Sequence, residues 1–176
     1  MLRRGAMLET AEELERLQAL LDESARHASP FLRETFEIPT RTPTATAIVE
    51  YLKASIDLAL ATVTARGEPR VAPVTALFVH GRFWVPTEWN SVRIRHLTAN
   101  PAVSVTHWVS GVSAFIAHGQ ALLLRPAERV FSEVDRLHRA AWWDLLRQEG
   151  RGVYIGVEAK RLYAWAGPRW PLGWPT

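Results

Sequence analysis

GEPRVAPVTALFVHGRFWVPT, residues 67–87, holds two runs rich in Val, Ala, Thr and Phe on either side of a His-Gly pair. Residues of that kind suit a pleated, half-buried surface and His-Gly is a turn signal, so the stretch predicts strands at about 70–79 and 82–86. Pro73 interrupts the first run. Proline has no N–H to give to a ladder, so it marks a bulge, an unpaired position or an edge strand, and such a break can leave backbone groups open to a ligand.

The same texture continues outward. From Asp57 onward, short apolar runs separated by ARGEP, Ser-Gly and Gly-Arg-Gly predict further strands at about 57–64, 102–109, 113–124 and 152–164, with helices at 91–98 and 126–148. Five or six antiparallel strands at hairpin spacing, with few polar residues inside each run, favour closure into a small barrel, because closure removes vulnerable edges. The expected class is mainly β (α+β), with flanking helices. Upstream, Thr10 followed by Glu13 makes a capping-box pattern that opens a helix with Leu14, Leu17 and Leu21 on one face. SPFLRETFEIPTRTPTA, residues 29–45, has three prolines and no sustained period, so it reads as a loop leading to a second helix at about 43–54. The chain divides into residues 1–42, an N-terminal helical extension and connector, and residues 43–176, the barrel domain.

Composition narrows the function. The 176 residues, 48% apolar and 22% charged, suit one folded domain with a real core. Without cysteine there is no disulfide framework and no thiolate metal site, and a reducing, cytoplasmic compartment is expected. The start MLRRGAMLETAEELERL turns acidic where a signal peptide needs its apolar stretch, and no run approaches a membrane span, so no membrane partner is expected. A net charge of +3 is too small an excess to point to nucleic acid.

TEWNSVRIRHLTANP, residues 87–101, is the segment with chemistry in it. Asn90 or Ser91 is a good N-cap and Asn100-Pro101 a good stop, enclosing a short helix. Its first turn offers free N–H groups and partial positive charge, and Arg93 stands there, where a phosphate would be held by both. Arg95 points to another side and reads as a surface or inter-subunit charge, while His96, three positions from Arg93, shares its side. The competing reading is a solvated basic face anchored by Ile94 and Leu97. No nucleophile elbow, phosphate-loop glycine signature or paired-histidine helix occurs, and no catalytic acid or base stands out. His107 and His118 fall on separate predicted strands with no carboxylate beside them, so no metal is expected and structural roles come first; His118 is the one candidate haem ligand. Trp142, Trp143, Trp165, Trp170 and Trp174 gather late in the chain and read as core or dimer contacts.

Taken in order, a strand, G-x-P-x-x-x-P-V, a strand and S-x-K/R-x-x-x-L-x-x-N-P, the chain resembles the flavin-binding split-barrel superfamily typified by pyridoxamine 5'-phosphate oxidase. The motifs stand here as GEPRVAPV from Gly67 and SVRIRHLTANP from Ser91, followed by HGQALLL where the family has a strand with an internal glycine. The resemblance implies a six-stranded antiparallel split β-barrel and a homodimer that binds FMN, or a deazaflavin coenzyme, in a groove at the dimer interface. It implies a flavin-dependent oxidoreductase with a small-molecule substrate; the alternative is a flavin- or haem-binding storage or sensor protein of the same fold. By motif, Arg70, Val71, Ala72, Pro73, Val74 and Thr75 line the isoalloxazine, Pro86 and Thr87 flank the phosphate, and Ser91 with Arg93 closes around it. Ala114 stands where the oxidase has a glutamine, so that side-chain contact is lost. Thr75 stands where the oxidase has a lysine that grips substrate phosphate, and the tail RLYAWAGPRWPLGWPT lacks its C-terminal signature, so pyridoxamine 5'-phosphate is not the expected substrate.

Overall fold

A computed structural model describes residues 8–138 and 140–171. Helix α1, Ala11–Arg26, opens on the expected capping box: Glu13 N–H donates to Thr10 Oγ1 at 3.2 Å and Thr10 N–H to the Glu13 carboxylate at 2.9 Å. The connector is not all loop. Ser29 caps a short helix α2, Pro30–Thr35, with Pro30 in its first turn. Helix α3, Ala45–Tyr51, is capped by Thr44. Seven residues do not hold a helix alone in water; Ile48, and Leu52 just beyond the helix, are almost wholly buried, which stabilises the segment by about 1.5–3 kcal/mol each.

Strands β1 (Ile56–Val63), β2 (Pro69–Val79), β3 (Arg82–Glu88), β4 (Ala102–Val109), β5 (Ser113–Leu124) and β6 (Gly152–Ala166) close a barrel in the order β1-β2-β3-β6-β5-β4. Every pairing is antiparallel. Alternation puts Leu58, Leu60, Val103, Val105, Phe115 and Ala117 inside, where they join Leu17, Leu21 and Ile48 in one core. In the described residues no helix is long and apolar enough to cross a membrane.

The barrel is split where β2 and β3 part. β2 pairs with β1 over its first eight residues, from Val63↔Pro69 to Ile56↔Ala76, but with β3 only from Leu77↔Trp84 to Val79↔Arg82. β3 then follows β6, from Phe83↔Val157 to Glu88↔Gly152. Residues 69–76 of β2 therefore have no strand on their β3 side, and Pro73 sits in this free edge, opposite Ala59 with no bulge. Helix α4, Val92–Ala99, comes in beside that edge and sends Ile94 and Leu97 into the core. At the other end β6 runs past β3, and the N-terminal segment takes up its ladder groups: Leu162 N–H donates to Ser24 Oγ and Ala166 N–H to the Arg41 carbonyl, each at 2.8 Å.

The helix expected at 126–148 is two helices, α5 (Arg129–Leu137) and α6 (Ala141–Gln148). His138 breaks them with extended backbone, φ −85° and ψ 116°, and buries its ring against Trp142, Trp143 and Tyr154. Trp143 Nε1–H donates to Asp135 at 2.6 Å, so this second aromatic core leaves that indole satisfied. Trp170 stacks on Tyr51 at 4.3 Å and is buried, Trp165 is half-buried, Trp142 is exposed, and Trp174 lies outside the described residues.

Candidate functional site

The free edge of β2 and the flank of α4 bound a cleft of about 250 Å³. β1 contributes Leu60 and Thr62, β2 contributes Arg70, Val71 and Ala72, and α4 contributes Val92, Arg93 and His96. α4 starts at Ser91, whose backbone is extended at φ −62° and ψ 156° and whose side chain makes no capping bond. Instead Ser91 Oγ accepts from Thr87 Oγ1 at 3.2 Å, which ties the helix start to the end of β3.

Arg93 is half-buried, and among the described residues it has neither an ion-pair nor a hydrogen-bond partner. Burial pushes its pKa down. A guanidinium stripped of water and offered no counter-charge favours an anionic ligand, because a desolvated charge is costly until it is paired. His96 presents Nδ1 to Thr62 Oγ1 at 3.0 Å, and Thr62 is buried. Arg70, at the exposed mouth, is paired with Glu68 at 2.7 Å. Leu60, Val71, Ala72 and Val92 supply apolar wall, so the cleft combines one unpaired cation with surface suited to a flat apolar body.

Of the residues singled out by sequence, Arg70, Val71, Ala72 and Arg93 are brought together here. Pro73, Val74 and Thr75 continue along β2 beyond the cleft lining, Pro73 and Thr75 facing outward and exposed, Val74 turned against the core. Thr75 Oγ1 donates to Asp57 Oδ1 at 3.2 Å. Pro86 and Thr87 are buried within β3, and Thr87 reaches α4 only through Ser91. Leu60, Thr62 and Val92 were not anticipated. Thr62 continues the inward row of Leu58 and Leu60, a period-two signal that was present but gave no reason to connect it with α4.

Val71 also belongs to a second surface. Register places Pro73, Ala59, Thr106, Ile116 and Tyr163 in one row across the outside of the barrel, with Val71, Ala61, Ser104, His118 and Arg161 in the next. Neither row carries a carboxylate, and Val71 and Trp108 are 69% and 63% exposed, so the face is broad and largely apolar. His118 lies exposed on it, with Nδ1 at 2.8 Å from Ser104 Oγ. His107 is instead buried, its Nδ1–H donating to the Asp57 carbonyl at 2.7 Å, the structural role expected of it. Gly119 faces a bulge in β6, whose extra residue is Lys160, and a Cβ on Gly119 would lie 2.0 Å from the Glu158 carbonyl oxygen, so only glycine fits.

The sequence model of pyridoxamine 5'-phosphate oxidase matches residues 44–166, from the cap of α3 to the last residue of β6. The chain belongs to the pyridoxamine 5'-phosphate oxidase family. Solved structures of the same fold include the conserved hypothetical protein Rv2991 from Mycobacterium tuberculosis, 18% identical, with a TM-score of 0.59 over 78% of this chain and 92% of that one. An FAD-binding protein from Mesorhizobium loti is 19% identical, TM-score 0.52, over 70% and 93% of the two chains. HutZ, the haem storage protein from Vibrio cholerae, is 18% identical, TM-score 0.55, over 69% and 93%. At such identities the likeness is one of fold. None of the curated proteins matches the chain. Membership of the pyridoxamine 5'-phosphate oxidase family accounts for the six-stranded antiparallel barrel and the split that shapes the cleft.

Proposed function

We propose that this member of the family is a cytoplasmic oxidoreductase that binds FMN, or a deazaflavin coenzyme in its place, in the cleft beside β2. Arg93 carries the proposal: it is a half-buried cation with no partner among the described residues, positioned to hold a phosphate. Val71, Ala72 and the free edge of β2 would border the flat ring, with Arg70, Pro73, Val74 and Thr75 extending that border. The flavin supplies hydride chemistry when bound; the chain supplies binding, orientation and exclusion of water.

At about 250 Å³ the cleft is smaller than the roughly 300–1,000 Å³ of ordinary ligand sites. It opens past Val71 onto the apolar outer face, so a second copy covering that face would enlarge and enclose it. A homodimer is therefore part of the proposal. The substrate is a small molecule other than pyridoxamine 5'-phosphate, because Thr75 brings no charge and the Asp57 carboxylate it holds would repel a second phosphate. A haem-storage role is the second reading, favoured by the exposed ring of His118. Titration with FMN, followed by flavin fluorescence, should saturate at one flavin per protomer; haem binding that is lost in His118→Ala, with no response to FMN, would establish the other reading.

A further inference from the structure

Arg93 and His96 stand three positions apart on α4 and both enter the cleft lining, so α4 brings two polar side chains to it, not one. The His96 ring is not free to turn. Thr62, 4% exposed on the inward row of β1, offers its hydroxyl to Nδ1 at 3.0 Å, and that is the only hydrogen bond of either side chain among the described residues. With Nδ1 engaged, the opposite ring nitrogen, Nε2, is what remains for a ligand. The Thr62 hydroxyl can donate to Nδ1, which leaves the ring proton on Nε2, or accept from Nδ1–H; a phosphate oxygen at Nε2 selects the first arrangement, and a charged ring donates from both nitrogens. Thr62 thus holds the ring's orientation and accommodates the tautomer that presents Nε2–H to a ligand.

We propose that His96, positioned by Thr62, is a second donor to the phosphate of the bound cofactor, beside Arg93; this rests on the flavin reading above. The competing role, a histidine that merely satisfies a buried hydroxyl, predicts a loss of stability without selectivity for phosphate. FMN and riboflavin differ by that phosphate alone and separate the two. In equilibrium titrations, His96→Leu should lower FMN affinity by about tenfold or more and leave riboflavin affinity unchanged, as expected for one hydrogen bond to a charged group. His96→Gln, which keeps a donor, should recover part of the loss. Thr62→Val, nearly equal in volume, should show a smaller loss with the same selectivity. Equal losses for FMN and riboflavin, or an unchanged ratio in the His96 variants, would overturn the inference while the flavin reading stands. Failure of the unmodified protein to bind FMN would overturn both.

Discussion

Arg93 has a guanidinium that burial has partly stripped of water and that no carboxylate among the described residues answers. Reversing its charge should therefore act on the ligand and not on the fold: Arg93→Glu is expected to weaken FMN binding by roughly a hundredfold, with the thermal midpoint little changed, as read by flavin titration and circular dichroism. Thr75 makes a prediction of the opposite kind. Pyridoxamine 5'-phosphate should be oxidised poorly even with flavin bound, and Thr75→Lys should improve its binding only modestly, since Asp57 competes for the new ammonium; efficient turnover by the unmodified protein at low substrate concentration would contradict this. Gly119→Ala should destabilise the barrel by about 1–3 kcal/mol in denaturant melts, because the bulge leaves no room for a methyl group. Arg93 was legible in the sequence because a cap, a stop and a three-residue spacing are local signals. Thr62 was not, because its meeting with His96 depends on where α4 packs against β1.

Among the elements, the turn between β2 and β3 carries an ionic knot. His80, in left-handed backbone at φ 54°, places Nδ1 at 3.0 Å from Glu13 of α1 and Nε2 at 2.7 Å from Glu133 of α5, and its N–H donates to Glu9 at 2.9 Å. Arg16, Arg82 and Glu158 border the same hollow and Arg129 approaches Glu133 at 3.9 Å. Burial disfavours the imidazolium, but the hydrogen bonds and charges of Glu13 and Glu133 outweigh it and hold the His80 pKa above its ordinary value. Burial likewise opposes the Glu13 carboxylate, and Thr10 N–H with His80 reverses that, leaving its pKa lowered. The raised His80 pKa gives stability that is complete below about pH 6.5 and fades as pH rises through the folded value; the lowered Glu13 pKa gives stability complete above about pH 4.3 and lost as pH falls through its own folded value. The stability difference between the native protein and His80→Gln should be largest between those limits and shrink above neutrality; a difference independent of pH in urea melts would contradict the knot. The His-Gly turn was readable, but its partners lie 67 and 53 residues away and left no local trace. The same holds for the break at His138, which exists because Trp143 and Tyr154 make a place for its ring. Helix α2 did leave a signal, Ser29 before Pro30, masked by the prolines around it.

For the molecule as a whole, six runs of strand residues at hairpin spacing, with few polar residues inside each run, were enough to predict a closed antiparallel sheet. The pairing of β3 with β6, the free edge it leaves on β2 and the use of Ser24 and Arg41 to satisfy β6 are long-range choices that no local pattern encodes. The outer face predicts assembly. The protein should sediment as a dimer at micromolar concentration, and Ile116→Asp, which sets a charge in the middle of the apolar row, should shift it towards monomer and weaken FMN binding with it; a monomer at all concentrations would remove the enclosed site. The central claim, that the cleft beside β2 holds a flavin, is tested most directly by the visible absorption spectrum of the protein after incubation with FMN and gel filtration. The account predicts the two-band spectrum of a bound flavin at one per protomer, absent from Arg93→Glu; a colourless native protein, or the same flavin content in both proteins, would contradict it.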